Sequence, residues 1–263
     1  MKIKLLIITL LSAILLSSCA VQRANDTDVD VSNAHTNADT EVLKKEDALL
    51  SYTDDKGMSY IDSFIFIGES TTYHMKSRGV LSGGTDTKQI WAPRSGTMNL
   101  DLTVDTVKIV YPETGEELTF LEAAKRKKPK YILLTFGLNG AVQKIKKGEE
   151  YYKRCYKKLT DSILSASPDT KLILQSAFPV AENMDMSAYS IDLDTLNSYI
   201  NTINSWSYSF ASENGFSYLD TSEILKDDKG RLDMKYQSGD GYHLNAEAYR
   251  KILFFIRTHG YEQ

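Results

Sequence analysis

The stretch SFIFIGES, residues 63–70, decides the fold. Its consecutive apolar residues, followed by glycine, predict a short strand that is covered on both faces, as in a parallel sheet. Runs of the same kind at residues 131–136 and Lys171–Gln175 predict two more strands, and a shorter run at 216–219 predicts a fourth. The core of the chain is therefore expected to be a parallel sheet.

Helical patterns alternate with these strands. Helices are predicted over Glu149–Ala166, over residues 193–212 and from Asn245, which is a good N-terminal cap. Because strand and helix alternate, the expected architecture is an open α/β sandwich with helices on both faces of a mainly parallel sheet. Two other features are a small hairpin predicted at residues 107–117 and a basic run at 125–130, which is expected to end a surface helix.

The composition is that of an ordinary folded domain. Of the 263 residues, 42% are hydrophobic and 25% are charged, with 15 glycines and 5 prolines. These values exclude collagen-like, coiled-coil and wholly disordered proteins. The 35 acidic residues outnumber the 31 basic ones, so a basic surface that binds nucleic acid is not expected.

The N-terminus carries a pattern typical of secreted proteins. Lys2 and Lys4 precede an apolar run at residues 5–16, which is too short for a membrane-spanning helix of roughly 20 residues and predicts a signal peptide over residues 1–18. The run ends in Leu-Ser-Ser-Cys19, which resembles the lipobox of bacterial lipoproteins. That resemblance implies that Cys19 becomes the lipidated N-terminus, anchored to the cell membrane in an extracytoplasmic location. The alternative is a plain signal peptide.

The rest of the chain divides into a tether and one domain. Residues 19–47 are rich in Asn, Asp, Thr, Ser and Ala and contain almost no large apolar residues, so they predict a flexible tether. Residues 48–263 have the length of a single α/β domain. Cys155 has no second cysteine to pair with once Cys19 is lipidated, and its place on the apolar side of a predicted helix indicates a small buried hydrophobe.

Three polar segments stand where a parallel sheet binds its ligands. Two come directly after predicted strands and one comes just before the last helix. They are Gly68-Glu69-Ser70, Gly137-Leu138-Asn139-Gly140 and Asp240-Gly241-Tyr242-His243.

These segments supply the groups that nucleophilic catalysis requires. Ser70 needs a base to remove its proton during attack, and His243 suits that task because its reference pKa of about 6.5 lies near neutral pH. Asp240, three residues before His243, is placed to orient the imidazole. The Asn139 amide and the Ser70 backbone N–H are candidate donors to an oxyanion. A zinc site is the competing interpretation, but zinc requires three or four protein ligands and no such cluster is evident.

The order of these segments resembles the SGNH, or GDSL-type, hydrolase superfamily. Gly68-Glu69-Ser70 matches its Gly-Asp-Ser block, residues 137–140 match Gly-x-Asn-Asp, and residues 240–243 match Asp-x-x-His. For the block that supplies a glycine N–H to the oxyanion hole, Gly96 is the best match, with Gly83 and Gly84 as alternatives. The chain departs from the pattern at Glu69 and Gly140, where the family usually has aspartate.

The resemblance implies a flavodoxin-like three-layer α/β/α sandwich and a serine ester hydrolase without cofactor or metal. It implies a triad of Ser70, His243 and Asp240, and an oxyanion hole formed by Ser70, Gly96 and Asn139. His74 is the alternative base, although it lacks an evident carboxylate partner.

The expected substrate is a short acyl group, chiefly acetyl, on a cell-wall or surface carbohydrate. This follows from the expected location and from the polar insertion at residues 178–192, which does not look like a lid for long acyl chains. The candidate substrate contacts are His74, Arg94 and Tyr242. Three alternatives remain open: a non-catalytic glycan-binding lipoprotein, a lysophospholipase-like or thioesterase-like acylhydrolase, and an acyl transferase.

Overall fold

The computed structural model describes residues 47–102 and 106–261. The strands of this part of the chain are β1 (Phe64–Gly68), β2 (Ile90–Trp91), β3 (Ile109–Val110), β4 (Glu117–Leu118), β5 (Tyr131–Thr135), β6 (Lys171–Gln175) and β7 (Ser217–Leu219). Five of them form a parallel sheet in the order β2-β1-β5-β6-β7, and β3 and β4 pair as an antiparallel hairpin. The four predicted sheet strands and the predicted hairpin are confirmed, whereas β2 is too short to be recognised from its pattern.

Helices surround this sheet. They are α1 (Gly57–Ile61), α2 (Ser70–Ser77), α3 (Phe120–Lys127), α4 (Ala141–Lys147), α5 (Glu149–Ala166), α6 (Leu193–Asn214) and α7 (Ala246–Thr258). Helix α5 packs on α3, α4 and α6, and α1 packs on α7. Every residue of β1 and β5 is buried, and alternate side chains of a strand point to opposite faces. Both faces of the sheet are therefore covered, which confirms the expected α/β sandwich.

The ends of the helices follow from local sequence. The Asn245 side chain accepts the Ala248 N–H at 3.0 Å and caps α7 as predicted. Helix α6 runs two residues beyond its predicted end, to Asn214, and stops at Gly215 in the left-handed conformation. The predicted basic run ends α3, with three basic residues in its last turn.

The strand register places the functional segments side by side. Gly68 of β1 pairs with Thr135 of β5, which in turn pairs with Gln175 of β6. The carboxyl ends of these three strands thus stop at one edge of the sheet. The segments that follow β1 and β5, which carry Ser70 and Asn139, leave the sheet next to each other.

The predicted N-terminal features lie outside the described residues. These are the signal peptide over residues 1–18, the lipidation site Cys19 and, except for Asp47, the tether over 19–47. Near the start of the described residues, Leu49 forms a parallel bridge to Tyr218. In the described part of the chain, the structure contains no helix with the length and apolarity that membrane crossing requires.

Cys155 lies in the core, as its position in the sequence predicted. Its side chain is buried on α5, and burial raises the pKa of its thiol. A buried thiol with a raised pKa is a poor nucleophile.

Candidate active site

Ser70 is placed by the tight junction between β1 and α2. Glycine is required at position 68, because a Cβ there would lie 2.2 Å from Thr72 Oγ1 and 2.5 Å from the Thr135 carbonyl oxygen. The chain can therefore turn directly from the strand into the helix. As the first residue of α2, Ser70 has a backbone N–H without an acceptor in its own helix.

The structure brings Ser70, His243 and Asp240 together in one hydrogen-bonded chain. His243 Nε2 lies 2.9 Å from Ser70 Oγ, and His243 Nδ1 lies 2.6 Å from Asp240 Oδ2. The other carboxylate oxygen, Oδ1, accepts the backbone N–H of His243 at 2.9 Å and that of Tyr242 at 3.1 Å. This tight turn fixes the carboxylate on the side of the imidazole that faces away from the serine.

The hydrogen bonds of the turn favour the ionised form of Asp240. Partial burial raises the pKa of this carboxyl, but the hydrogen bonds from His243 and Tyr242 outweigh that effect. The net result is a pKa below the usual value. A charged carboxylate is what the imidazole requires if it is to carry a proton during a reaction.

Two aromatic rings pack against the imidazole of His243. The rings of His74 and Tyr242 each lie with their centroids 4.1 Å from its own. The Tyr249 hydroxyl of α7 donates to the Thr71 carbonyl oxygen of α2 at 2.5 Å. Because α7 follows the His243 turn and α2 begins at Ser70, this buried hydrogen bond connects the helix next to the base with the helix that carries the serine.

His74 does not have the surroundings of a general base. Burial lowers its pKa, as do the nearby His243 and Arg78, whereas Asp240 raises it. Its Nδ1 is buried and has no hydrogen-bond partner among the described residues. The structure therefore places His74 against the ring of His243, with a lowered pKa and without the carboxylate that Asp240 offers His243.

Asn139 occupies the opposite side of the site. Its side-chain Nδ2 donates to Thr97 Oγ1 at 3.1 Å and to the Met98 carbonyl oxygen at 3.3 Å. The amide thus lies against the segment at residues 97–98, at the rim of the pocket that Ser70 lines.

Gly96, a predicted oxyanion donor, has its N–H engaged elsewhere in this structure, and its role stays a prediction. Its N–H donates to the Pro93 carbonyl oxygen at 2.9 Å and is engaged in a turn. Gly96 has a φ of +72°, and a Cβ there would lie 2.9 Å from the Tyr73 ring. Glycine is required for that close packing, and the structure does not present its N–H to the pocket. The alternative Gly84 is also engaged, because its N–H donates to the Leu81 carbonyl oxygen at 2.9 Å.

Glu69 has a structural role that the sequence did not reveal. The residue is 2% exposed, and its carboxylate accepts the backbone N–H groups of Gly137 at 3.0 Å, Leu138 at 3.1 Å and Asn139 at 3.0 Å. Complete burial raises its pKa, although the Lys144 charge and the three N–H donors act in the opposite direction. Glu69 thereby ties the segment before Ser70 to the segment that carries Asn139.

A pocket of about 860 Å³ opens above these groups. Both sides of the triad and part of the 178–192 insertion contribute to its wall. The lining residues are Ser70, Thr97, Met98, Asn99, Val107, Leu138, Asn139, Gly140, Met184, Asp185, Tyr189, Tyr242 and His243.

Two of the three predicted substrate contacts are absent from that wall. Tyr242 lines the pocket. His74 instead packs against the ring of His243, and Arg94 lines a separate cleft and donates to Glu117 at 3.3 Å. Tyr189 also lines the pocket, although it was not among the predicted substrate contacts. Its place depends on how the insertion folds over the site, which no local pattern reveals.

The 178–192 insertion braces the turn that carries the base. The Ala181 N–H donates to the Gly241 carbonyl oxygen at 2.7 Å, and a Cβ at Gly241 would lie 2.5 Å from the Met184 nitrogen. In the described residues, no three His, Cys, Asp or Glu side chains are grouped as metal ligands would be.

The fold and this arrangement are those of an SGNH-type hydrolase. The family model described as GDSL-like Lipase/Acylhydrolase matches residues 66–251, which is more than half of the chain. The chain therefore belongs to the GDSL-like lipase/acylhydrolase family. Members of an acylhydrolase family act on acyl esters, so membership supports ester hydrolysis in general. No curated protein matches the sequence.

Several solved structures are similar to this chain at low sequence identity. A protein from Streptococcus pneumonia, described provisionally as a platelet activating factor, is 18% identical with a TM-score of 0.53, over 74% of this chain and 82% of that one. A DUF4886 family protein from Bacteroides uniformis is 15% identical with a TM-score of 0.50, over 76% and 86%. An extracellular lipase from Streptomyces rimosus is 14% identical with a TM-score of 0.49, over 75% and 99%.

Proposed function

We propose that this chain is a serine ester hydrolase in which Ser70 is the nucleophile, His243 the general base and Asp240 the residue that orients it. The observation that carries the proposal is the continuous chain of two hydrogen bonds, 2.9 Å from Ser70 to His243 and 2.6 Å from His243 to Asp240. A serine hydroxyl becomes an effective nucleophile only beside such a base.

The reaction proceeds in two half-reactions. Ser70 Oγ attacks the ester carbonyl carbon while His243 Nε2 takes the hydroxyl proton, and the imidazolium is stabilised by Asp240. When the tetrahedral intermediate collapses, the C–O bond to the alcohol breaks and His243 returns the proton to the departing oxygen. A water molecule then gives a proton to His243 as its oxygen attacks the acyl carbon. The C–O bond to Ser70 Oγ breaks, His243 returns the proton to that oxygen, and the acid is released.

Two donors are proposed for the oxyanion. One is the Ser70 backbone N–H, which has no acceptor within α2. The other is the Asn139 amide, whose present acceptors, Thr97 Oγ1 and the Met98 carbonyl oxygen, are both neutral. A negatively charged oxygen is the stronger acceptor, so it can take over one of these hydrogens.

The proposed substrate is a short acyl group, chiefly acetyl, on a cell-wall or surface carbohydrate. Tyr189 and Tyr242 in the pocket wall support this, because aromatic rings suit the faces of sugars, and Asp185 adds a polar group beside them. The proposed location is extracytoplasmic, with the chain anchored to the membrane through lipid on Cys19. The N-terminal sequence supports that location.

The decisive experiment measures acetate release from acetylated wall polymers by the wild type and by Ser70→Ala. Release by the wild type alone is expected. A series of nitrophenyl esters should show the highest kcat/KM for acetate, whereas a preference for eight or more carbons would favour a lysophospholipase-like acylhydrolase. Repeating the assay with an acceptor sugar separates hydrolysis from acyl transfer.

Covalent labelling distinguishes an enzyme from a non-catalytic glycan-binding protein. A fluorophosphonate should label the wild type but neither Ser70→Ala nor His243→Ala. An unlabelled wild type that still binds glycan would identify a binding protein. Incorporation of a labelled fatty acid into the wild type, and its loss in Cys19→Ala, tests the proposed anchor.

A further inference from the structure

Lys144 occupies an unusual position for a lysine. It is only 4% exposed, although it lies in the short helix α4, whose neighbouring Lys146 is exposed. A buried ammonium group is costly unless opposite charge and hydrogen-bond acceptors surround it. Its Nζ donates to the main-chain carbonyl oxygen of Asn139. Lys144 therefore binds the main chain of Asn139, whose side chain is one of the two proposed oxyanion donors.

Two buried charged side chains hold the main chain of Asn139 on opposite sides. The Glu69 carboxylate accepts the Asn139 N–H at 3.0 Å, and the Lys144 ammonium group donates to the Asn139 carbonyl oxygen. Glu69 also accepts the two preceding N–H groups. The negative and positive charges attract each other across this segment, since Lys144 acts on Glu69 electrostatically. The backbone of Asn139 is thus fixed in place from both directions.

Gly140 lies beside the lysine. A Cβ at this position would lie 3.6 Å from Lys144 Nζ, which is an ordinary van der Waals contact. Gly140 also has a φ of +70°, which glycine adopts without strain.

We propose that Lys144 is a positioning residue: together with Glu69 it fixes the main chain of Asn139, so that the Asn139 amide is directed to the oxyanion. This inference rests on the proposed function, because it assigns a role in the same reaction. Lys144 touches neither substrate nor the reacting atoms in this scheme. It acts through Asn139 alone, and that property makes the inference testable.

The test compares Lys144→Met with Lys146→Met, a matched change at the exposed lysine of the same helix. Misplacement of an oxyanion donor affects the transition state more than the bound ester, so Lys144→Met should lower kcat about 10- to 100-fold with little change in KM. Lys146→Met should behave as the wild type. In an Asn139→Ala background, Lys144→Met should lower kcat no further than about twofold, because the group through which it acts is gone. An equal loss in both backgrounds would overturn the inference.

A second measurement does not depend on activity. Amide hydrogen exchange at Gly137, Leu138 and Asn139 should accelerate about tenfold in Lys144→Met and stay unchanged in Lys146→Met. Without the Lys144 contact to the Asn139 carbonyl oxygen, this segment opens more often. Unchanged exchange would show that Lys144 does not fix this segment, even if kcat fell. Should Lys144→Met fail to fold, Lys144→Gln takes its place under the same criteria.

The two proposals fail in different ways. If the wild type hydrolyses no ester and Ser70 resists the fluorophosphonate, the hydrolase assignment is wrong, and the exchange measurement still decides whether Lys144 fixes the segment. If the wild type is active and Lys144→Met matches it in kcat, the hydrolase assignment stands and the positioning role is wrong.

Discussion

The two sides of the site are built in different ways. On the nucleophile side, Ser70 and Asn139 belong to segments joined by Glu69, which is 2% exposed and bound to three backbone N–H groups. On the base side, the Asp240 side chain is 43% exposed and its hydrogen bonds stay within a four-residue turn. The nucleophile side is therefore part of the core, whereas the base side is a surface turn that packs onto it.

This difference predicts how each side responds to mutation. A polar group that is buried and bonded to distant backbone supports both the fold and the site, so its loss lowers stability. A group that bonds within its own exposed turn supports chiefly the chemistry. Exchanging a carboxylate for an amide on each side, Asp240→Asn and Glu69→Gln, separates these two effects with changes of equal size.

The largest effect on rate is expected from Asp240→Asn. The asparagine side chain can turn its NH₂ group toward His243 Nδ1, which favours the wrong tautomer of the imidazole. It also carries no charge to stabilise the imidazolium, so kcat should fall about 10⁴-fold. The melting temperature should change little, because Asp240 is exposed. Ester kinetics and thermal unfolding check the two statements. A variant that keeps full activity would show that Asp240 does not orient the base.

Asn139→Ala is expected to have the next largest effect. Removal of one oxyanion donor costs about 10²–10³ in kcat with little change in KM. Asn201→Ala, at an exposed position of α6, serves as the control and should retain wild-type kinetics. If Asn139→Ala raises KM and leaves kcat unchanged, the amide binds substrate in its ground state rather than stabilising the oxyanion.

Glu69→Gln should lower stability as well as activity, whereas Asp240→Asn should lower activity alone. The amide nitrogen of glutamine would face backbone N–H groups of the 137–139 segment, which leaves buried donors without acceptors and lowers the free energy of unfolding by about 1–3 kcal/mol. Urea denaturation measures this difference, with Asp240→Asn as the matched control. Equal stability of both variants would contradict the proposed division between a buried and an exposed side.

The sequence predicted best what depends on local pattern. The apolar runs at residues 64–68 and 131–135 became neighbouring strands, and the serine, asparagine and histidine segments lie at one end of the sheet. Short motifs identify these residues because their roles follow from position relative to a strand or helix end. The family motifs contributed the order in which the segments occur along the chain.

The sequence could not predict the contacts that depend on packing between distant segments. The N–H of Gly96, a predicted oxyanion donor, is engaged with Pro93. Arg94, a predicted substrate contact, pairs with Glu117 of the hairpin. Lys144 was missed because a lysine in a short surface helix is ordinarily solvated. One signal was present: Lys144 follows Ala141 at the interval of three that places both residues on the buried side of α4.

The smallest predicted effect concerns His74, which lies at the contact between the two sides. Burial, His243 and Arg78 lower its pKa below the usual 6.5, against the opposing effect of Asp240. The unfolded chain therefore takes up a proton at His74 before the native protein does. The stability that neutral His74 provides is present above a pH of about 6.5 and is lost as pH falls below it.

His74→Gln removes this proton-linked effect. Between pH 7.5 and pH 5, the wild type should lose more of its free energy of unfolding than His74→Gln does, whereas Lys76→Gln in the same helix should follow the wild type. Urea denaturation at the two pH values provides the measurement. If the wild type and His74→Gln lose stability in parallel, the prediction is wrong. His74 would then be protonated as readily in the native protein as in the unfolded chain, and the imidazole packed against the base would not be kept neutral.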